Sequence, residues 1–151
     1  MFKNLINKLV NQSDDKSNKF DNEGVLALSA IFIRIAKLDG KFDIHEQNAI
    51  KHLLIKRFSL SELKINELLK MAKNLENDAN DNIQLTRAIK KHVAYEERFG
   101  LLKDSWSLVM ADGERSYQED GFMRLFCNLL GLSDKDNALA RQAVLDNKET
   151  N

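Results

Sequence analysis

Carboxylate side chains recur at matched positions in the two halves of this sequence. The first copy is Asp39-Gly40 followed by Glu46. The second copy is Asp112-Gly113 followed by Glu119, and it lies 73 residues further along the chain. Carboxylate oxygens suit hard cations such as Ca²⁺, Mg²⁺ and Mn²⁺, whereas zinc sites usually include His or Cys. If the two turns meet in the fold, these four acids, with Asp43 nearby, predict one divalent-cation site.

Helix capping is an alternative explanation for the same acids. Residues 43–46 and 116–119 both fit the capping box, in which a glutamate three residues after the N-cap reaches back to it. Residues 59–62 fit the same pattern. Asp39 and Asp112 each end an apolar run, where they can accept N–H groups from their own turn or face the next helix. The residues alone leave both explanations open.

No other pattern in the chain indicates catalysis. His45, His52 and His92 fall on separate predicted elements, and His45 is expected to be a solvent-exposed residue of a first helical turn. The sequence has no nucleophile-elbow motif and no glycine-rich phosphate loop. Cys127, the only cysteine, lies in an apolar run and is expected to be a buried, inert thiol. We therefore expect no enzymatic activity and no small-molecule substrate.

Composition indicates one soluble domain. The chain has 151 residues, of which 43% are hydrophobic, with 23 basic and 23 acidic side chains. This balance gives no electrostatic footprint for nucleic acid, so no nucleic-acid partner is expected. The longest apolar run, residues 25–36, is too short to span a bilayer, and the N-terminus carries no secretory signal. These features favour a cytoplasmic location.

Helical periodicity runs through the chain, without the alternation typical of strands. It predicts helices over about 23–38, 44–57, 61–76, 83–92, 94–111, 117–130 and 134–146. The first is apolar nearly all round and is predicted to be central. Ile44, Leu63, Ile83, Tyr95, Leu125 and Leu139 are assigned to apolar stripes, and Gly131 to a C-terminal cap. The predicted fold is all-α, in two halves that each consist of helix, Asp-Gly turn, helix, Leu-Ser turn and helix.

Residues 1–22 are predicted to precede a domain that covers 23–148. Residues 1–11 have the spacing of a short amphipathic helix, and 12–22 form a polar linker. The apolar face of 1–11, flanked by Lys3 and Lys8, suits weak contact with an anionic membrane surface. Such contact would place the protein peripherally at the inner membrane. Packing on the domain, or on another protein, is an equal alternative.

With the paired turns identified, the chain resembles the TerB-like family, named for a tellurite-resistance protein. The resemblance covers roughly 23–146. It rests on Ile35–Gly40, Glu46, Arg57–Ser61, Tyr95–Arg98, Val109–Gly113, Glu119 and Leu130–Ser133. The second turn keeps the family's Ala-Asp-Gly, while Leu38 replaces that alanine in the first.

The resemblance implies a compact bundle of seven helices in two pseudo-symmetric halves, with an acidic, metal-binding cluster at the two turns. Carried over residue by residue, the site candidates are Asp39, Glu46, Asp112 and Glu119. Family members are linked with tellurite resistance and chemical stress, often in membrane-associated complexes. No enzymatic activity is established for the module. A similar domain at the front of membrane-anchored J-domain co-chaperones favours the alternative of a metal-free adaptor that binds a protein partner.

Overall fold

The structure, a computed structural model, describes residues 22–38, 40, 42–79, 81–111 and 117–149. In these ranges the chain forms seven α-helices and no β-strand. They are α1 (Asn22–Lys37), α2 (Ile44–Phe58), α3 (Glu62–Asp78), α4 (Asn82–His92), α5 (Tyr95–Val109), α6 (Tyr117–Leu129) and α7 (Asp134–Glu149). The all-α prediction is confirmed, and each predicted helix end lies within three residues of the observed one. Of the amphipathic segment and linker predicted for residues 1–22, residues 1–21 lie outside the described residues, and Asn22 is the first residue of α1.

Helix α1 is the centre of the bundle, as predicted. It packs against α2, α3, α4 and α5, and nearly all its side chains from Leu26 to Ile35 are buried. This arrangement follows from its sequence, which is apolar on every face. Ser29 is buried within it, and its hydroxyl donates to the carbonyl oxygen of Val25 at 2.8 Å. The one hydroxyl of this helix core therefore bonds within its own helix.

The two halves repeat one packing scheme. In the first half α1 packs most extensively against α3, and in the second α5 packs most extensively against α7. The middle helix of each half, α2 or α6, contacts both of its partners. Helix α4 lies between the halves in sequence and packs on α1 and α6. The predicted pseudo-symmetric bundle is confirmed.

Arg34 joins the central helix to the end of α3. Its Nη2 donates to the carbonyl oxygens of Glu76 at 3.0 Å and Ala79 at 2.8 Å, and its Nη1 donates to Oδ1 of Asn82 at 2.8 Å. The Glu76 carboxylate pairs with Arg34 at 3.4 Å and with Lys37 at 2.7 Å. The last carbonyls of a helix have no partner within it, so this guanidinium satisfies groups that would otherwise be unpaired.

Residues in the left-handed region end three of the elements. Gly40 (φ 82°) follows α1, and Gly131 (φ 79°) follows α6. Beside Gly131, the Leu132 N–H donates to Cys127 O at 3.1 Å. The C-terminal cap predicted at Gly131 is therefore confirmed. Ser59 was predicted to be an N-cap, which is wrong. It has φ 53°, ends α2, and donates its N–H to Ile55 O at 2.8 Å. The N-cap of α3 is Ser61 instead.

Six side chains assigned to apolar stripes are exposed: Ile44 (59%), Leu63 (74%), Ile83 (50%), Tyr95 (55%), Leu125 (44%) and Leu139 (50%). In α4 the reason is geometric. The helix packs on the core through Leu85 and Ile89, and Ile83 lies two residues from Leu85, or about 200° around the helix. Ile83 therefore projects from the opposite face.

Candidate functional site

A pocket of about 230 Å³ lies between the two halves of the bundle. It is formed by the end of α1, the start of α2, the end of α5 and the start of α6. The residues that line it are Ile35, Ala36, His45, Glu46, Ala49, Leu108, Ala111 and Glu119. Among the described residues the wall is therefore mostly apolar, and the ionisable groups in it are two carboxylates and one imidazole.

The two halves contribute equivalent residues to this pocket. Glu46 and Glu119 are 73 residues apart, and so are Ile35 and Leu108. Glu119 is only 6% exposed, and Glu46 is half-buried. The glutamates that were singled out by their spacing therefore face one pocket from opposite halves.

Both glutamates lie in the first turn of a helix that follows an Asp-Gly turn. In the first copy, Asp43 is the N-cap, and its Oδ1 accepts the Glu46 N–H at 3.0 Å. The helix dipole favours a carboxylate at both positions. Asp43 itself is exposed and is not among the pocket-lining residues. Its N-cap role is thus observed, while its role as a metal ligand stays a prediction.

The two aspartates of the predicted site, Asp39 and Asp112, lie outside the described residues, as does Ser116. Their neighbours are described. Ala111, directly before Asp112, lines the pocket, and so does Ala36, three residues before Asp39. Described residues close to each Asp-Gly turn therefore contribute to the pocket wall.

The donor set fits a hard cation in kind, and the described residues supply only part of it. Two carboxylates facing one small pocket repel each other, and a divalent cation between them would lower that repulsion. Ca²⁺ takes six to eight oxygen ligands, more than Glu46 and Glu119 provide. Among the described residues, no group of three or more His, Cys, Asp or Glu side chains is arranged to hold a metal ion. Further ligands would have to come from the adjacent turns or from water.

A family model described as "Tellurite resistance protein TerB" matches residues 25–142. The chain belongs to the TerB family. The match runs from α1 into α7, so it includes both Asp-Gly turns and all the residues that line the pocket. No curated protein and no solved structure matches the chain.

Elsewhere in the TerB bundle, Cys127 is part of the core, as predicted. It is fully buried, and its Sγ donates to the carbonyl oxygen of Ser133 at 3.2 Å. Burial raises the pKa of the Cys127 thiol to about 11, and the charges of Asp136 and Asp134 act in the same direction. Asp136 has a lowered pKa because it accepts hydrogen bonds from the backbone N–H and hydroxyl of Ser133. A thiol with this pKa is no nucleophile near neutral pH.

A second concave surface was not predicted from the sequence. This surface, called here the basic groove, has a volume of about 440 Å³ and is lined by Ile83, Thr86, Arg87, Lys90, Lys91 and Leu129. A signal for it was present, because α4 carries three Lys or Arg residues and no acidic one. In the part of the TerB domain that the structure describes, no helix is long and apolar enough to cross a membrane.

Proposed function

We propose that this TerB domain is a non-enzymatic module that binds one divalent cation in the pocket between its halves. Glu46 and Glu119 would supply carboxylate oxygens from α2 and α6, and Asp39 and Asp112 would complete the set from the two turns. The observation that carries the proposal is the pocket itself, which equivalent glutamates of both halves line together.

The chemistry of the donors favours Ca²⁺, Mg²⁺ or Mn²⁺ over zinc, because every proposed ligand is a carboxylate. Such an ion would link the starts of α2 and α6, which belong to different halves. Binding would therefore change the stability and rigidity of the bundle as a whole. A cytoplasmic module of this kind is suited to sensing or assembly in the response to tellurite or chemical stress.

Titration calorimetry with Ca²⁺, Mg²⁺, Mn²⁺ and Zn²⁺ tests the proposal. We expect one ion per chain for at least one hard cation. The double variants Glu46→Gln/Glu119→Gln and Asp39→Asn/Asp112→Asn should each weaken binding at least tenfold, because each removes two charged ligands. Glu67→Gln/Glu96→Gln is the matched control, since both residues are exposed glutamates on other helices, and it should bind like the wild type.

Two results would count against the cation site. Unchanged binding in both ligand variants would place the ion elsewhere on the chain. No binding of any of the four ions would favour the alternative, a metal-free adaptor or co-chaperone-like module that binds a protein partner. The N-cap role of Asp43 favours that alternative, because it gives one of the turn acids a helix-capping function.

A further inference from the structure

The basic groove combines recessed apolar residues with exposed cations. Thr86 is buried and Leu129 is half-buried, so they form its floor. Ile83 is 50% exposed and adds apolar surface to the groove. Arg87, Lys90 and Lys91 are exposed along the same helix. Leu125 lies one turn before Leu129 on α6 and is 44% exposed, so the apolar strip continues along that helix.

Arg98 fixes one end of this groove. Its Nη1 donates to the carbonyl oxygen of Leu130 at 3.0 Å, and its Nη2 donates to that of Lys90 at 3.0 Å. These two oxygens lie at the C-terminal ends of α6 and α4, so one guanidinium holds the ends of both groove helices. A groove that is already ordered needs little further ordering when a ligand binds.

Helix stability explains only some of these side chains. Lys90 and Lys91 lie in the last turn of α4, where the helix dipole favours cations. Arg87 lies earlier in the helix, and Ile83 exposes apolar surface that helix capping does not require. The acidic residue before the helix, Asp81, is its N-cap, with Oδ1 accepting the Gln84 N–H at 2.9 Å. None of the described residues that line the groove is acidic.

We propose that the basic groove is a docking site for an acidic amphipathic helix of a partner protein. Apolar side chains of the partner would cover Ile83 and Leu129, and its flanking carboxylates would pair with Arg87, Lys90 and Lys91. This is the helix-in-groove mode, in which apolar residues give binding energy and charges give orientation and specificity.

The shape of the groove favours a helix over a membrane surface. A bilayer is flat on the scale of this domain, and it cannot reach floor residues such as Thr86 and Leu129 that lie below the rim. A helix with side chains is about 10 Å across and can enter a concave surface. Helix α4 has 11 residues and is therefore about 16 Å long, which matches three turns of a docked helix.

The test is an NMR titration of the full chain, in EDTA, with a synthetic 16-residue peptide. Leucines at positions i, i+3, i+4 and i+7 form its apolar stripe, and glutamates fill its other faces. Its control is a scrambled peptide of the same composition. We expect saturable shifts at the groove residues of α4 and α6, at least tenfold weaker binding of the scrambled peptide, and weakening as salt rises.

Variants locate the binding surface. We expect peptide binding to weaken at least tenfold in the variant Ile83→Ser/Lys90→Glu/Lys91→Glu. It should weaken by a smaller factor in Lys90→Gln/Lys91→Gln, because this variant removes two charges and keeps the apolar residue. The matched control Leu63→Ser/Lys56→Glu/Lys70→Glu also alters one exposed leucine and two exposed lysines, on other helices, and should bind normally. Circular dichroism checks that each variant is folded.

The proposal is overturned if the groove and control variants bind the peptide equally, or if the scrambled peptide binds as well as the amphipathic one. It is also overturned if phosphatidylserine vesicles bind in a groove-dependent way while the peptide does not, because the ligand would then be a membrane. Since EDTA is present throughout, none of these results depends on the proposed cation site.

Discussion

Hydroxyl side chains in the core of this TerB domain use their own helix as partner. Ser105 donates to Leu101 O at 2.9 Å, and Thr86 donates to Asn82 O at 2.7 Å, as Ser29 does to Val25 O. Each bond joins a residue to the carbonyl four positions earlier, so it needs nothing from neighbouring helices. Polar residues can therefore lie in an apolar interior without an unpaired group.

At the scale of one residue, the raised pKa of the Cys127 thiol predicts that folding stability decreases at high pH. Its pKa rises from 9.0 to about 11 on folding, so between these values the unfolded chain has lost a proton that the folded chain keeps. The stability contributed by the neutral thiol is full below pH 9 and falls as pH rises through 11. At pH 10 the loss is about 1 kcal/mol.

The measurement is urea unfolding of the wild type and of Cys127→Ala at pH 8 and pH 10. All other ionisable groups are common to both proteins, so their contribution cancels in the comparison. The wild type should lose about 1 kcal/mol more than the variant over this range. Equal losses would show that the thiol keeps its ordinary pKa in the folded chain.

At the scale of helices, two neighbouring serines have opposite roles. Ser59 lies in the left-handed region at the end of α2, where a side chain with a Cβ is strained by about 1–2 kcal/mol. Ser61 begins α3, and its Oγ accepts the Lys64 N–H at 3.3 Å. The first serine is thus a poor residue for its position and the second a good one.

Substitution of these serines should change stability in opposite directions. Ser59→Gly should raise the free energy of unfolding by about 0.5–1 kcal/mol, because relief of strain exceeds the entropy that glycine adds to the unfolded chain. Ser61→Ala should lower it by about 1 kcal/mol through loss of the cap. Urea titration followed by the fluorescence of the buried Trp106 measures both. Destabilisation by Ser59→Gly would contradict the assigned backbone conformation.

The same serines show where reasoning from sequence stops. Residues 59–62 fit a capping box, and nothing local distinguishes Ser59 from Ser61 as the start of α3. The end of α3 was predicted at residue 76, yet the helix runs to Asp78. Arg34, 42 residues away from Glu76, binds the carbonyl oxygens at that end. A boundary that depends on such a distant contact is not visible in a local pattern.

Helix positions were predictable because the apolar spacing is regular and the turns carry glycine or polar caps. Which face of each helix is left without a neighbouring helix was not predictable. Ile83 is one of the apolar residues of α4, but it lies opposite the face of that helix that packs on α1. The pocket between the halves was predictable in part: equal spacing singled out Glu46 and Glu119, and both line it. The parts played by Asp39 and Asp112 stay predictions.

At the scale of the whole molecule, charge balance conceals local charge. The chain has as many acidic as basic residues, and this equality by itself argues against a basic surface. Helix α4 nevertheless carries Arg87, Lys90 and Lys91 without an acid. A charge count for each helix, in place of one for the whole chain, singles out α4 from the sequence alone and so indicates the basic groove.

Cation binding in the pocket between the halves is predicted to raise the stability of the whole bundle. Helix α1 of the first half packs on α5 of the second, so we expect the two halves to unfold together. A cation bound between Glu46 and Glu119 then stabilises the entire fold. At one hundred times its dissociation constant it should add about 2.7 kcal/mol, which raises the Tm by roughly 5–10 °C in a domain of this size.

Thermal unfolding with and without the cation identified by calorimetry measures this shift. Glu46→Gln/Glu119→Gln should keep at most about half of the shift, because tenfold weaker binding leaves about 1.4 kcal/mol at the same cation concentration. Ser59 lies at the far end of α2 from Glu46. The Ser59→Gly variant should therefore have its own change in Tm and, in addition, the full rise in Tm caused by the cation, because effects at distant sites add. The groove variant Ile83→Ser/Lys90→Glu/Lys91→Glu should also keep the full shift. An equal shift in the glutamate variant would mean that the ion stabilises the TerB domain from another site.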